Sequence, residues 1–249
     1  MLDALDPLQN RLLAALSEDA RARIFPKLKL IELSLGDVIY ESHQPIEYVY
    51  FPVDCIISLL YVMVNGASAE ISVVGKEGMA GVAVVMGGES TPNRLVVQSP
   101  GHAYRLPAAH LKQEFNNYCE IRIITLRFTQ ALITQMSQTA VCNRHHSIDQ
   151  QLCRWLLLSL DRLEGNQLNM TQDLIANMLG VRREGVTEAA GKLQKLGVIE
   201  YHRGHITVLD RATLESLSCE CYGVVKRETR RLESDMSSSK WSSSGISRS

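Results

Sequence analysis

Residues Met170 to Asp210 read MTQDLIANMLGVRREGVTEAAGKLQKLGVIEYHRGHITVLD, and the spacing of their apolar positions decides the fold. Thr171 is placed to cap a short helix whose inward face carries Leu174, Ile175, Met178 and Leu179. Gly180 stops that helix, because a tight turn needs a positive φ, and Ala176, four positions earlier, is small enough to let a second helix approach. Beyond the turn, Val181, Val186, Ala189, Ala190 and Leu193 return a helix over 181–193 to the core. Arg182, Arg183, Glu184, Thr187, Glu188 and Lys192 are left on its outer face, rich in the hydrogen-bonding groups that read base edges in a major groove. Gly197 closes the helical stretch. Val198 to Tyr201 and Ile206 to Leu209 then predict two short strands around His202-Arg203-Gly204-His205, a wing whose arginine reaches phosphates. The Ala-x-x-x-Gly spacing alone is common in helix pairs; joined to the apolar pattern and the wing it predicts a winged helix-turn-helix. The candidate DNA contacts are Thr171, Gln172, Arg182, Arg183, Glu184, Thr187, Glu188, Lys192 and Arg203. The competing reading is a helical hairpin with a merely solvated charged face.

Upstream, the pattern changes character twice. From Lys29 to Leu106 short runs rich in Val, Ile and Tyr are punctuated by Gly36-Asp37, Asn65-Gly66, Gly75, Gly87-Gly88 and Pro100-Gly101, which predicts many short strands in a sandwich or barrel. Asn65-Gly66 is the clearest hairpin signal, since both central residues of the favoured turn take positive φ. After Pro107 no proline and only Gly165 interrupts the chain before Gly180, so long helices follow. Between Glu120 and Cys142 one stripe reads Ile121, Ile124, Phe128, Ala131, Gln135 and a second reads Ile123, Leu126, Ile133, Met136, Ala140. Two apolar stripes need two surfaces, for instance the barrel and a partner helix; the alternative is one large core within the chain. The first stripe is the expected dimer interface. Asp149 to Leu163 predicts another amphipathic helix, and Pro7 to Leu28 one or two short ones, with a second start at Ser17-Glu18-Asp19. The last thirteen residues, SSSKWSSSGISRS, hold eight serines and predict a disordered end. The fold class is α+β: a jelly-roll-like β-roll sensor domain over 1–119, a dimerisation helix over 120–143, a winged helix-turn-helix over 144–222 and a C-terminal extension over 223–249.

Composition fits two soluble domains. Of 249 residues, 45% are hydrophobic and 21% charged, close to the globular average. No apolar run approaches the roughly 20 residues of a membrane span. The opening MLDALDPLQN lacks the basic segment and apolar core of a secretory signal, which predicts a cytoplasmic chain with reduced cysteines. Net charge is −1, divided as −3 over 1–143 (11 basic, 14 acidic), +2 over 144–232 (13 basic, 11 acidic) and zero beyond (2 and 2). The sign places a polyanion on the second half. Of six cysteines only Cys219-Glu220-Cys221 are closely spaced, and a pair supplies two soft ligands where a structural zinc site wants four, so simple packing is the favoured reading and no metal ligand is expected. A cupin-type metal enzyme would need clustered histidines, whereas His43, His102 and His110 are isolated and His145-His146 stand at a helix start. No nucleophile elbow or phosphate-binding glycine loop is present, so no catalytic residue and no enzyme is expected.

These residues together resemble the Crp/Fnr family of bacterial transcription regulators over nearly the whole ordered chain. Leu35-Gly36-Asp37-Val38-Ile39-Tyr40 and Tyr48-Val49-Tyr50-Phe51 are similar to the opening strands of its cyclic-nucleotide-binding-type β-roll, the two-striped helix to its dimerisation helix, and 170–210 to its DNA-binding motif. The resemblance implies a homodimer on a two-fold-symmetric site of double-stranded DNA, controlled by an effector in the β-roll, with RNA polymerase a further partner. It implies base-reading roles for Arg183 and Glu184. Glu188 stands where many members carry a second reading arginine, which points to a different half-site. In 75–98, GKEGMAGVAVVMGGESTPNRLVVQ, neither the Gly-Glu pair nor the Arg-Ser/Thr pair that cradles a cyclic phosphate occurs in order, which counts against cyclic AMP, and no cofactor is assigned. Gly78, Gly81 and Arg94 are the effector candidates, binding an anion through backbone amides and a guanidinium; the competing reading is barrel turns and a surface charge. An iron–sulfur sensor is disfavoured because the first cysteine is Cys55. A true cyclic-nucleotide response and an effector-free scaffold stay open alternatives.

Overall fold

The computed structural model describes residues 5–238. The N-terminal segment folds as α1 (Arg11–Ala14) and α2 (Glu18–Ile24), the latter capped by Ser17 as its sequence predicts. Buried Asn10 caps α1 with Oδ1 and donates from Nδ2 to the carbonyls of Pro52 and Gly78, which ties the segment to the roll behind it.

That roll consists of β1 (Lys29–Leu33), β2 (Val38–Tyr40), β3 (Tyr48–Pro52), β4 (Ile56–Val62), β5 (Ser68–Val74), β6 (Arg94–Ser99) and β7 (Gly101–Pro107). They form two antiparallel sheets, ordered β1-β7-β3 and β2-β6-β4-β5. Inward residues of both, including Val49, Phe51, Ile57, Leu95, Val97 and Leu106, fill the core between them. The Asn65-Gly66 hairpin is present, but its loop differs from the two-residue turn expected. Met63 N–H donates to the Ala67 carbonyl, Asn65 Oδ1 accepts from Ala67 N–H, and of the two turn residues only Gly66 takes positive φ. This is a three-residue loop closed by a glycine bulge, the next commonest solution for right-twisted strands.

Helix α3 (Ala108–Asn117) leads into the long α4 (Cys119–His145), and Ser147 and Gln150 form a capping box at the start of α5 (Ile148–Leu160). The remaining described residues form β8 (Gln167–Asn169), α6 (Gln172–Leu179), α7 (Arg183–Lys195), β9 (Ile199–His202), β10 (His205–Val208), α8 (Arg211–Leu217) and α9 (Glu220–Ser238). The wing sheet has a third strand, order β8-β10-β9; β8 is too short to show a period in the sequence.

The C-terminal extension, to which the sequence assigned no element, is largely α9, which runs back along α4, with Gln130 donating to Glu228 and Glu233 paired to Arg11; the serine-rich end expected to be disordered lies, beyond 238, outside the described residues. The first stripe, expected at a dimer seam, needs correction: it is covered within the chain. Ile121, Ile124, Phe128 and Gln135 are buried within the chain, Gln135 bonded through both amide atoms to Val73, and half-buried Ala131 lies beside Leu232 of α9. The roll and α9 cover that face. Leu126 at 49% and Ile133 at 52% exposure lie on the open face together with exposed Ala140 of the second stripe and neighbouring Val141, whereas Met136 of that stripe turns inward.

The two halves meet across a buried polar junction. Arg162, beyond the end of α5, places Nε 2.7 Å from Glu77 Oε1, both side chains nearly buried, and its stem packs so close to Gly75 that a Cβ there would lie 2.7 Å from it. Trp155 Nε1 donates to Glu70 on β5, and Gln98 on β6 donates to Ser159 of α5.

Candidate nucleic-acid interface and effector cavity

Thr171 caps α6 by accepting from Leu174 N–H, and Gly180 ends it at φ 66°, its N–H on the Ala176 carbonyl. α7 then packs Val186, Ala189, Ala190 and Leu193 against α5 and α6 in one core. Arg182, Arg183, Glu184, Thr187 and Glu188 are exposed on its other side. Two bonds brace α7 against α6: Thr187 Oγ1 donates to Gln172 Oε1 at 2.7 Å, and Arg183 lies 3.5 Å from Asp173. Arg182, the N-cap of α7, makes no side-chain capping bond, so the first-turn N–H groups keep their capacity for an anion.

Lys192 has a structural task the sequence does not reveal. Its Nζ lies 3.0 Å from Asp149 at the start of α5 and 3.1 Å from Glu188, so it fastens α7 to α5 and offsets the acidic residue on the outer face of α7. The wing turn places Arg203 at φ 47° and Gly204 at φ 85°, the two-residue geometry with both central residues left-handed, so Arg203 stands at the exposed tip. Tyr201 Oη donates to the Met170 carbonyl and fixes the wing beside α6.

The β-roll and α4 border a cavity of about 370 Å³ that is partly open to solvent. Ile57, Leu59, Val74, Met79, Met86 and Leu95 line it, α4 contributes Leu132 and Met136, and the polar side chains are those of Tyr40, Thr91 and Asn93. Burial raises the Tyr40 pKa, so it meets a guest as a neutral hydroxyl. Among the described residues no charged side chain lines the cavity. Apart from Gly81, the lining residues carry no effector signal in the sequence, since an apolar cavity wall has the same pattern as a core.

Of the three effector candidates, only Gly81 lines this cavity. Gly78 lies under Phe128, where a Cβ would sit 2.1 Å from the ring, so its glycine serves helix packing. Arg94 alternates with Asn93 and Leu95 along β6, faces away from the cavity and lies 3.1 Å from Glu41. Glu77, which departs from the cyclic-phosphate order in sequence, is engaged with Arg162 instead.

A second cluster forms where α4 ends. Cys142, His146, Cys219 and Cys221 bring four donor atoms within 4.8 Å of one another. The reading of Cys219 and Cys221 as isolated packing residues is therefore incomplete: the end of α4 supplies two more donors. The spacing Cys142-x-x-x-His146 at a helix end was the available signal, since such residues share a face. Burial pushes the Cys142 thiol up to about 12 and Cys221 up to about 11, against the pull of the Arg154 guanidinium.

A cyclic nucleotide-binding domain model matches residues 30–118 and a Crp-like helix-turn-helix domain model matches residues 150–217. Among solved structures, one described as a Crp/Fnr-family transcriptional regulator from Eubacterium rectale aligns with a TM-score of 0.66 at 19% identity, covering 83% of this chain and 96% of that one. FixK2 from Bradyrhizobium japonicum aligns at 0.66 and 16% identity, over 77% of this chain and 98% of its own. The c-di-GMP responsive global regulator CLP of Xanthomonas campestris aligns at 0.63 and 12% identity, over 78% and 100%. No curated protein matches the chain. At these identities the structural likeness establishes the fold alone.

Proposed function

The chain belongs to the Crp/Fnr family of transcription regulators, and from that premise we propose that it is a homodimeric, sequence-specific binder of double-stranded DNA whose affinity is set by a small apolar effector in the β-roll. The observation that carries the DNA reading is α7 itself: a buried Val186-Ala189-Ala190-Leu193 back and a solvent face of Arg183, Glu184, Thr187 and Glu188, flanked by the Arg203 wing tip. Arg183 and Glu184 are assigned to base edges, and Arg182 and Arg203 to phosphates. The dimer seam is assigned to Leu126, Ile133, Ala140 and Val141, since these lie on the face of α4 that the chain itself leaves uncovered.

The cavity supports an uncharged guest. A desolvated cyclic-nucleotide phosphate is held best by a cation beside N–H donors; among the described residues the lining offers backbone N–H groups of the Gly81 turn but no guanidinium or ammonium. Its size suits a small molecule, and α4 is part of its wall, so a guest that favours one placement of Leu132 and Met136 biases the helix that carries the seam.

The test is selection from a randomised two-fold-symmetric DNA pool at fixed salt, with and without cyclic AMP, followed by fluorescence anisotropy. A symmetric site enriched equally in both conditions is the expected result. Enrichment only with cyclic AMP overturns the effector reading, and no enrichment with the chain dimeric and folded counts against the assigned reading helix.

A further inference from the structure

We propose that Cys142, His146, Cys219 and Cys221 bind one divalent ion of the zinc class in a tetrahedral site of three sulfurs and one nitrogen. A zinc ion with metal–sulfur bonds of about 2.3 Å and a metal–nitrogen bond of about 2.0–2.1 Å gives tetrahedron edges of roughly 3.8 Å between sulfurs and roughly 3.6 Å between sulfur and nitrogen. Cys142 Sγ lies 3.5 Å from Cys219 Sγ, and Cys221 Sγ lies 3.6 Å from His146 Nδ1. All four donors fall within 4.8 Å of one another, which fits a single ion and is too tight for a polynuclear cluster, where ions and inorganic sulfides stand between the ligands.

Three further features point to a metal. His146 turns Nδ1 to the thiols while its Nε2 lies 3.2 Å from Glu220 Oε2. That is the carboxylate–histidine arrangement that fixes ring orientation and tautomer at zinc sites, and the carboxylate comes from the residue between the two cysteines. The cysteines are buried, at 0%, 5% and 1% exposure, in a cluster of their own outside the larger apolar cores. Three thiolates and a divalent ion carry a net −1, and the neighbouring buried cation Arg154 complements it. Its guanidinium bonds only to the neutral Thr139 hydroxyl among the described residues, and its Nε is buried without a hydrogen-bond partner. The backbone delivers the donors without strain: Cys142 lies in the last turn of α4 and His146 directly follows that helix, while Cys219 precedes α9 and Cys221 lies in its first turn. The ion thus fastens α9 to the end of α4, one residue before the Ser147 cap of α5.

The test uses the full chain purified under reducing conditions without chelator. Elemental analysis is expected to find one zinc per chain, and a mercurial reagent to release it as the three thiols react. The chelated chain titrated with Co2+ is expected to saturate at one equivalent, with the visible bands and sulfur-to-metal charge transfer of a tetrahedral thiolate site. Cys219→Ser with Cys221→Ser abolishes both signals, His146→Ala weakens cobalt binding, and exposed Cys119→Ser leaves them intact. Wild-type chain that purifies without metal and gives no thiolate–cobalt spectrum overturns the proposal, as does a Cys142–Cys219 disulfide in chain kept reduced. The wild-type readings decide the matter even if the double variant does not fold.

Discussion

Replacing Glu70 by glutamine removes a pH-dependent penalty from the junction between the two halves. Trp155 Nε1 donates to Glu70 Oε1 at 3.1 Å, while Glu70 Oε2 lies 2.5 Å from Ser58 Oγ. The same hydroxyl lies 2.8 Å from Gln98 Oε1, whose amide nitrogen donates to Ser159, which donates in turn to the Trp155 carbonyl. Ser58 has one proton and two acceptors, so the chain of bonds closes fully only when Glu70 carries its own proton and donates to Ser58. Burial pushes the Glu70 carboxyl from 4.5 up to about 7, against the pull of the Ser58 hydroxyl, the Arg154 and Arg162 guanidiniums and the Trp155 N–H. The folded pKa is raised, so this contribution to stability is complete below about pH 4.5 and is lost as pH rises through 7. At about 1.4 kcal/mol per unit the interval amounts to roughly 3 kcal/mol. Glutamine offers Trp155 an acceptor and Ser58 a donor with no proton to lose. Urea unfolding of both chains between pH 4.5 and 8 isolates the effect, because every other titrating group is shared. The variant is expected to gain roughly 3 kcal/mol on wild type across that range. A difference that stays constant with pH, whatever its sign, refutes the reasoning.

Arg183→Ala is expected to weaken specific binding by about 1–3 kcal/mol and relax preference at one base pair, whereas Arg203→Ala weakens binding to all sequences alike and lowers the salt slope by about one; anisotropy on specific and random DNA separates the two. Leu126→Glu with Ile133→Glu is expected to turn the proposed dimer into a monomer that still unfolds cooperatively, seen by light scattering and thermal denaturation. Phe128→Glu instead destabilises the chain itself by more than about 3 kcal/mol, because it puts a charge against Gly78 in the core. Glu77→Ala leaves the Arg162 guanidinium buried with only carbonyl acceptors and costs about 3 kcal/mol in chemical denaturation.

The helix-turn-helix was legible because its determinants are local. Ala176, Gly180 and the apolar positions of α7 lie within eighteen residues of one another, and each has a steric reason to be where it is. The roll was legible as a class, from its turn residues, but its register was not, since β1 pairs with β7 across some seventy residues. Choosing between the stripes of α4 required knowing what packs on it. Phe128 and Leu126 are equally apolar in sequence, and only Gly78 and α9 decide that the first is inside. The same reason hid the four-donor cluster. Cys219 and Cys221 were visible as a pair, but Cys142 stands 77 residues away, and no local pattern tells α9 to return along α4. The cavity was illegible for a different reason: its wall is made of the residue types that fill cores, and a void has no sequence signature.

The placement of α4 gives the proposed effector a mechanical route to DNA. Leu132 and Met136 line the cavity, so a guest that changes the room they need acts on α4 directly. α4 ends at His145, and after His146 the Ser147 cap begins α5, whose Trp155 and Ser159 are bonded back to β5 and β6 of the roll. Cavity, α4, α5 and sheet therefore form a closed ring of packed elements. In a closed ring α4 cannot shift alone. It either carries α5 and the reading helix with it, or breaks the Glu70, Gln98 and Arg162 bonds that hold α5 to the roll. Those buried bonds set the free-energy gap between the present arrangement and any other, and an effector shifts that balance only by its differential affinity for the two, so a gap of a few kcal/mol requires a preference on the order of 100-fold or more. Protonation of Glu70 strengthens the same bonds. Proton and effector thus act on one equilibrium through different sides of the roll, and by linkage an effector that opens the junction binds more tightly as pH rises through the Glu70 pKa.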